Sequence, residues 1–499
     1  MEPFQSKLVH AWEQYAQGYI DGKELKSVSA GFGIYLQRDG NAMMRIRRPG
    51  GVVTLIDLRN VAEIIYRLGL PFCHLTSRLD IQLHGVPPRS VPFVLELCES
   101  RGMPFRGGGG DTFRNVQVSA SSGLHGDSAF DVIPYARALS SAFYRFDTAY
   151  ALPRKIKIGF ADRAADRRLA AVQDLGFVAK MQDGRRVFET WVAGGIGFRS
   201  SVGVKIFDAL PAEDCCRLAF ALTRMFDEKG NRTNRAHARI RFLREDMGDD
   251  AFVSMLKEYF GRETAAGPVD GKTVEPEEWP EPSFAADAEV DGGFDVWRQL
   301  ATAPLRNGRF AVRLFVPYSR LDYGQICKLC EAFEPCGVQK MQLLASGDLC
   351  IQNVPENQLA ALHSLLKRRF HPLDCVVGRS FAGHILTCIG GSVCTTGVND
   401  APAFATDVAR ELDRRIMPID TPEKLKIAKL ILNDVRISGC PNCCTNNPLA
   451  RFGFICRKSG DEPALMPIVG AKSDPVQLGE LQRETIACRD VPDWILRQM

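Results

Sequence analysis

Residues 44–86, MRIRRPGGVVTLIDLRNVAEIIYRLGLPFCHLTSRLDIQLHGV, align without a gap with residues 312–354, VRLFVPYSRLDYGQICKLCEAFEPCGVQKMQLLASGDLCIQNV. Identical residues occupy matching positions in the two copies: Arg45/Arg313, Pro49/Pro317, Glu63/Glu331, Gly69/Gly337, Leu75/Leu343, Asp80/Asp348 and Val86/Val354. Each copy predicts a strand, a turn, an amphipathic helix that ends at glycine, and a strand with alternating apolar positions. The sequence therefore predicts an internally duplicated chain.

Each copy is followed by a longer α/β stretch, and the Pro-, Gly- and acid-rich residues 265–293 between the halves are typical of a linker. We expect an α+β fold with three domains, in which the two halves pair about a pseudo-twofold axis and share one sheet. Each half would be a ferredoxin-like repeat followed by a larger α/β domain. The predicted segments are an N-terminal arm (1–42), a repeat (43–108), a larger domain (109–265), the linker (266–304), a repeat (305–375) and a larger domain (376–499).

Composition excludes several classes of protein. The chain has 499 residues, of which 45% are hydrophobic and 24% charged, which is typical of globular proteins and not of disordered or collagen-like ones. The net charge of +4 is small for a general nucleic-acid binder. The charged N-terminus lacks the apolar segment of a signal peptide, and no later run is long enough for a membrane span. We therefore expect a cytoplasmic protein that binds neither nucleic acid nor membrane.

Four of the 16 cysteines form two spaced pairs framed by glycine. Cys388 and Cys394 form C-x5-C, and Cys440 and Cys444 form C-x3-C. A helix is predicted before the second pair, with Thr421 as N-cap, Pro422 at the first position and Gly439 after its end. Four thiolates are the usual ligands of a [4Fe-4S] cluster. Four unrelated buried thiols or a zinc site are the alternatives, although zinc sites more often contain C-x2-C.

The other cysteines near these patterns are predicted not to be ligands. Cys327, Cys330 and Cys336 lie on the apolar face of the second repeat helix and are expected to be core residues. Cys443 breaks the spacing of its motif and is expected not to bind the cluster.

Five motifs give the sequence a resemblance to a known family. They are Gly439-Cys440-Pro441-Asn442-Cys443-Cys444, the R-x-R-x-P-G-G motif at 45–51, the L-T-x-R-x-x-x-Q-x-H-G motif at 75–85, the R-N segment at 111–116 and the L-P-R-K-x-K box at 152–157. From about Met43 to Gly453 the chain resembles the sulfite and nitrite reductase hemoproteins, which hold siroheme coupled to a [4Fe-4S] cluster. The resemblance makes 109–265 and 376–499 siroheme-reductase domains and places the cluster in the second.

The resemblance implies roles for named residues. The cluster ligands would be Cys388, Cys394, Cys440 and Cys444, with Cys444 also bridging to the siroheme iron. The residues facing the substrate would be Arg45, Arg114, Lys155 and Lys157, and those binding siroheme would be Arg47, Arg78, Gln82, His84 and Asn442 together with Cys444. These residue types suit the task, because siroheme carries many carboxylates and the substrate is an oxyanion. Alternation on a strand would place Arg78, Gln82 and His84 on one face, and Lys155 and Lys157 on one face of another strand.

The resemblance also implies a substrate and an electron donor. Family members that reduce sulfite tend to keep a lysine at the position of Lys157, where nitrite reductases tend to have asparagine, and a second cation suits the sulfite dianion. No dinucleotide-binding fingerprint is evident, so electrons would come from another protein, either a ferredoxin or a flavoprotein subunit. No additional C-x2-C-x2-C run is present, which favours an assimilatory enzyme.

Three alternatives to this interpretation stay open. The chain could be a nitrite reductase that produces ammonia, or a non-catalytic protein that uses the four thiols as a metal or redox-sensing site. It could also be an inactive relative that binds siroheme, because residues 344–348, LASGD, depart from the polar strand typical of the family.

Overall fold

The computed structural model describes residues 3–263, 275–284, 292–370, 380–432, 434–459 and 462–498. Parts of the predicted linker (266–274 and 285–291) and the predicted boundary at 375/376 lie outside these residues. The chain divides into two compact units. Unit 1 contains residues 1–51, 78–195 and 200–278, and unit 2 contains residues 52–77, 196–199 and 279–499.

Unit 1 begins with a small antiparallel sheet that carries several of the predicted site residues. Its strands are Ile34–Leu36, Ala42–Ile46 and Ile81–Val86. Arg45 faces Gln82 and Met44 faces Leu83 across the central pair of strands. Three helices accompany this sheet: Pro3–Ala16, Gly22–Ser29 and Val91–Ser100.

The larger part of unit 1 is a five-stranded mixed sheet with its own helices. The strands, in spatial order, are Val204–Pro211, Arg185–Val192, Leu175–Gln182, Ile158–Ala161 and Gln117–Val118. The helices are Ile133–Tyr144, Arg167–Ala171, Cys215–Lys229, Ile240–Met247 and Asp249–Arg262. Phe160 and Phe177 stack at 4.6 Å between ring centroids, and Phe188 meets both rings edge-on, so aromatic packing fills the core on one face.

Unit 2 contains the second repeat and part of the first. One sheet has the order Thr302–Pro304, Phe310–Leu314, Leu349–Val354, Lys340–Leu343 and Val52–Thr54. Cys73–Leu75 pairs with Arg320–Leu321. The helices of this part are Leu55–Leu68, Phe294–Ala301, Tyr323–Phe333 and Leu359–Phe370.

The strand pairs between the two repeats confirm the predicted pseudo-twofold symmetry, but the prediction that the halves share one sheet is wrong, because their strands lie in two separate sheets. Val52 faces Gln342, and Val53 faces Met341. In the other pair Arg320 faces His74, and Leu321 faces Cys73. The repeat alignment equates Val52 with Arg320 and His74 with Gln342. The two strand pairs therefore have the same register, and in each of them a strand of one repeat pairs with a strand of the other. Two strands of the first repeat therefore complete the core of the unit that contains the second.

The rest of unit 2 repeats the sheet order of the larger part of unit 1. Its strands run Leu386–Thr387, Val435–Ser438, Phe452–Ser459, Glu462–Val469 and Glu480–Leu481, with Ile486–Ala487 also pairing to Glu462–Val469 and a separate pair Lys472–Ser473 and Val476–Gln477. Its helices are Ala401–Ile416, Pro422–Ile431 and Val491–Arg497. Both larger sheets begin with two parallel junctions and continue antiparallel. The duplication thus includes these domains.

One predicted element is wrong at its end. The helix begins as expected, because the Thr421 hydroxyl accepts the Lys424 amide at 3.2 Å, but it ends at Ile431. Residues Val435–Ser438 form a parallel strand between two neighbours. A short strand between two parallel neighbours is buried on both faces, so its sequence does not alternate between polar and apolar residues. Without this alternation the sequence cannot distinguish the strand from the end of a helix. Cys440 therefore follows a strand.

Among the helices of the described residues, none combines the length and the apolar composition that a bilayer crossing requires.

Candidate functional site

In unit 1, two predicted substrate-facing arginines converge on the glycine run 107–110. The Nη1 groups of Arg45 and Arg114 both donate to the carbonyl oxygen of Gly108, with a distance of 2.7 Å for Arg114. Arg114 Nη2 donates to the carbonyl of Gly110 at 2.7 Å. A Cβ at Gly108 would lie 3.0–3.1 Å from three backbone oxygens, so glycine allows this close approach. The glycine run thus fixes two cations beside each other.

The two lysines join the same cluster of charges. Burial and the neighbouring cations Lys157, Arg114 and Arg239 hold the pKa of Lys155 well below its ordinary value. The lysines do not lie on a strand as predicted, because that strand is Ile158–Ala161. They precede it in extended backbone, where only Ile156 forms a bridge, to Phe113. Arg114, Lys155 and Lys157 are therefore brought together without a regular strand.

A buried carboxylate partly compensates this positive charge. Asp80 is 4% exposed, and its Oδ2 lies 3.9 Å from Arg45 Nε. Burial raises the pKa of Asp80 to about 6, while Arg45, Arg47, Arg78 and Arg114 act in the opposite direction. Five charged groups thus share one poorly solvated region, where electrostatic interactions are strong.

Arg78 does not have the position that strand alternation predicts. Leu79 has a left-handed backbone (φ 62°), and the strand begins only at Ile81, so Arg78 lies outside it. The guanidinium donates five hydrogen bonds to four acceptors in unit 1: the Asn115 carbonyl (3.2 Å from Nε and 2.7 Å from Nη2), Gln117 Oε1 (3.0 Å), Gln173 Oε1 (3.1 Å) and the Ile158 carbonyl (3.1 Å). An arginine side chain has five N–H donors, so these hydrogen bonds use all of them. Arg78 binds the segments that carry Arg114 and the lysines.

The other predicted siroheme contacts in unit 1 are buried. Gln82 and His84 are two residues apart on Ile81–Val86 and share a face, as predicted. Arg47 is 2% exposed, and its Nη1 donates to the Arg106 carbonyl at 2.8 Å. Its Nε has no hydrogen-bond partner among the described residues, and the same is true of Arg114 Nε. Buried guanidinium donors that lack acceptors fit a ligand with several carboxylates.

In unit 2, the two cysteine pairs follow neighbouring parallel strands. Cys388 comes directly after Leu386–Thr387, and Cys440 follows Val435–Ser438. The Gly439 amide donates to Cys388 Sγ at 3.2 Å, and Ser77 Oγ donates to the Cys444 carbonyl at 2.7 Å. Because carboxyl ends of parallel strands meet at one edge of a sheet, the fold brings the two motifs together.

The thiols interact electrostatically with one another. Burial, together with the neighbouring Cys444 and Cys440, raises the pKa of Cys388 to about 12. Burial also raises the pKa of Cys440, with additional contributions from Cys444 and Cys394, while the Asn442 backbone and side chain lower it. Among the described residues no three His, Cys, Asp or Glu side chains surround a single metal-ion position. The electrostatic links nevertheless connect all four predicted ligands.

The backbone around these thiols has no room for side chains. A Cβ at Gly439 would clash with the Asn399 carbonyl oxygen, and one at Gly397 would lie 2.7 Å from Gly391 Cα. Cys443 has a left-handed backbone (φ 52°) and a buried side chain, whereas Cys444 is exposed. Four thiols in a glycine-lined loop fit a [4Fe-4S] cluster by donor chemistry.

The sequence interpretation missed two buried charged residues. Asp174 Oδ2 accepts the Lys157 backbone amide at 2.8 Å, and both Asp174 oxygens accept Arg239 Nη2 at 2.9 Å. The only signal in the sequence is a charged residue directly before an apolar strand, at Asp174. Arg239 lies 65 positions away and has no comparable signal.

Comparisons with known proteins agree with these features. A model of the "Nitrite/Sulfite reductase ferredoxin-like half domain" matches residues 35–100, and one of the "Nitrite and sulphite reductase 4Fe-4S domain" matches residues 109–264. The chain is 26% identical over 474 residues to a ferredoxin–nitrite reductase of Synechococcus elongatus, covering 92% of this chain and 86% of the relative. It is 23% identical over 474 residues to sulfite reductase [ferredoxin] 1 of Mycolicibacterium paratuberculosis, covering 90% and 79%.

A solved structure shares the fold. The Mycobacterium tuberculosis NirA protein superimposes with a TM-score of 0.77 at 21% identity, covering 97% of this chain and 89% of that chain. The matched domains and the two relatives, together with the cysteine motifs, identify the chain as an oxidoreductase that belongs to the nitrite and sulfite reductase family, whose cofactors are siroheme and a [4Fe-4S] cluster.

Proposed function

We propose that the chain reduces sulfite to sulfide with six electrons. The observation that carries this proposal is the second lysine: Lys157 adds a cation to the group formed by Lys155 and Arg114. A doubly charged anion gains more than a singly charged one from each additional cation in a poorly solvated site. Arg45, which shares the Gly108 carbonyl with Arg114, completes the set.

Each cofactor has candidate ligands among the predicted residues. Cys388, Cys394, Cys440 and Cys444 would hold the cluster, and Cys444 would also be a siroheme contact. The siroheme carboxylates would be bound by Arg47, with Gln82, His84, Arg78 and Asn442 as further candidate contacts. Siroheme coupled to the cluster supplies the electrons when both are bound. The buried guanidinium nitrogen atoms that have no acceptor within the described part of the chain support this assignment.

The protein side chains would bind the substrate oxygens and supply protons. Reduction removes oxygen as water, so each step consumes protons at the departing oxygen. Lys155 suits this role, because its lowered pKa makes the Nζ group a better acid than an exposed lysine. Arg45 and Arg114 would stabilise negative charge on the oxygens.

Nitrite reduction to ammonia is the second candidate function. It is favoured by the relatives, among which are ferredoxin–nitrite reductases of Synechococcus elongatus and Zea mays at 26% and 24% identity. The relatives' names also support ferredoxin as the electron donor of this chain. A flavoprotein subunit is the alternative donor.

The substitution Lys157→Asn tests the choice of substrate. We expect it to lower kcat/KM for sulfite about tenfold more than kcat/KM for nitrite, which corresponds to about 1.4 kcal/mol. The measurement is steady-state turnover of both anions with reduced methyl viologen, normalised to siroheme content. Lys157→Arg is the matched control, because it keeps the charge and should preserve the ratio. An unchanged ratio in Lys157→Asn would contradict the sulfite assignment.

A further inference from the structure

Asp174 is a buried residue whose carboxylate accepts a hydrogen bond from the backbone of the lysine segment. It is 0% exposed and directly precedes the strand Leu175–Gln182. Its Oδ2 accepts the amide of Lys157, and its two oxygens accept Arg239, which is 7% exposed. The buried carboxylate therefore fixes the position of the Lys157 main chain through this hydrogen bond.

The duplicated domain shows that this carboxylate is not needed for the strand junction. The Leu175 amide donates to the Lys157 carbonyl at 3.2 Å, and in the second domain the equivalent Phe452 amide donates to the Asp434 carbonyl at 2.9 Å. There, however, the position of Asp174 is occupied by Arg451, which is exposed. The amide of Asp434 donates instead to the Ile431 carbonyl at 3.1 Å. The same pairing of strands thus forms without a buried aspartate.

A buried ion pair is weak evidence for a contribution to stability, because burial costs desolvation free energy. Two charges lose their hydration on burial, and their attraction often does no more than offset that loss. The pair occurs in the half of the chain that has lysines at 155 and 157, whereas the other half has Leu432 and Asp434 there. Arg239 also acts electrostatically on Lys155. The ion pair accordingly belongs to the lysine segment and not to the general architecture.

We infer that Asp174, held by Arg239, is a positioning residue that fixes the main chain of Lys157 and thereby places Lys155 and Lys157. This inference rests on the proposed function of the two lysines. Asp174 acts through the backbone and has no direct contact with substrate. Its loss should make the backbone of residues 154–157 more mobile, while the strand Ile158–Ala161 keeps its partners.

The test compares Asp174→Ala and Asp174→Asn with the wild-type holoenzyme. Amide hydrogen exchange is followed by mass spectrometry on peptides that cover residues 154–158, and turnover of sulfite and nitrite is normalised to siroheme. In Asp174→Ala we expect the Lys157 amide to exchange at least about tenfold faster and kcat to fall about tenfold to a hundredfold. Asp174→Asn keeps an acceptor oxygen and should be intermediate in both, which also provides the test if the alanine variant does not load siroheme.

A control variant separates positioning from general stability. Glu189 lies in the same sheet, is 3% exposed, and bonds Arg167 at 2.7 Å and Lys180 at 2.6 Å. Glu189→Gln weakens the ion pairs of a buried carboxylate with two partly exposed cations outside the site, so it should lower Tm but keep kcat and the exchange of the Lys157 amide. The inference is overturned if Asp174→Ala exchanges like the wild type, or if its kcat stays within about twofold of Glu189→Gln.

Two further variants distinguish this inference from the function on which it rests. If Lys155→Met and Lys157→Asn retain wild-type turnover of both anions, the proposed function of the lysines is wrong, whatever Asp174 does. If these two variants lose turnover while Asp174→Ala keeps it, the proposed function stands and the positioning role is wrong.

Discussion

At the scale of single residues, the site contains several cationic side chains and few carboxylates to balance their charge. Burial lowers the pKa of Arg78 to about 9 and that of Arg114 to about 10. Arginines remain protonated at neutral pH under these conditions, but a lysine in the same surroundings comes closer to losing its proton. The cluster thus combines arginine charges with two groups whose pKa values move toward neutrality, Lys155 and Asp80.

The pH dependence of turnover should report Lys155. Because its pKa is lowered and the protonated form is the acid, activity should fall as pH rises through a value below that of an ordinary lysine. Removing the positive charge of Lys157 favours protonation of Lys155, so the alkaline limb of the kcat profile in Lys157→Asn should move to higher pH, by about one pH unit. The measurement is kcat for nitrite between neutral and alkaline pH. A limb that stays in place or moves to lower pH would contradict the assignment of Lys155 as the acid.

Motifs in the sequence predict Arg45, Arg114, Lys155 and Lys157, because these residues lie in short boxes of characteristic spacing. They could not predict the Asp174–Arg239 pair, since the two partners come from segments whose approach depends on the tertiary fold. Their roles in the reaction stay predictions that the proposed variants test.

At the scale of elements, local capping signals mark both ends of the two repeat helices, but they give neither the end of the helix Pro422–Ile431 nor the limits of the strands. Thr54 and Asp322 form capping boxes at the starts of the equivalent repeat helices, and Gly69 and Gly337 have left-handed backbones after them. Such caps depend on neighbouring residues only, so the sequence contains the whole signal. The strand Val435–Ser438 and the displaced Arg78 depend instead on partners and on a left-handed Leu79, which no local pattern indicates.

The close backbone packing beside the thiols predicts that Gly439 cannot be replaced by a larger residue. A methyl group there would clash with the Asn399 carbonyl, so Gly439→Ala should displace Cys440 relative to Cys388 and lower cluster content at least about fivefold. Iron and acid-labile sulfide per chain, measured after anaerobic purification, check this result. Gly126→Ala is the matched control, because a Cβ at Gly126 meets no atom within 4 Å. Full cluster content in Gly439→Ala would show that the close approach is not required.

At the scale of the whole molecule, the repeat in the sequence predicts the duplicated fold but not the division of the chain. Matching residues show that two similar α/β segments exist, and a pseudo-twofold arrangement follows from them. Periodicity does not show which strands pair, so it cannot predict that residues 52–77 belong to the second compact unit. That assignment depends on the exchanged pairs of Val52–Thr54 with Lys340–Leu343 and Cys73–Leu75 with Arg320–Leu321.

This exchange predicts that the second half cannot fold without the first. A fragment of residues 279–499 lacks two strands and the helix Leu55–Leu68 of its own unit, which leaves unpaired strand edges and exposed apolar surface. We expect it to aggregate when expressed alone and to be recovered as a monodisperse complex when residues 1–278 are co-expressed. Size-exclusion chromatography and circular dichroism check both outcomes.

A variant of the first fragment shows whether strand exchange is the cause of this rescue. Val53 faces Met341, and proline at position 53 removes an amide donor and fits poorly in a paired strand. Val53→Pro in fragment 1–278 should therefore abolish rescue, whereas Val53→Thr, which keeps a β-branched side chain and the amide, should permit most of it. If fragment 279–499 alone gives a monodisperse species with a cooperative thermal transition, the first repeat is not part of its folding unit. If Val53→Pro rescues as well as the unmodified fragment, the contribution of Leu55–Leu68 is sufficient and strand pairing is not the determining contact.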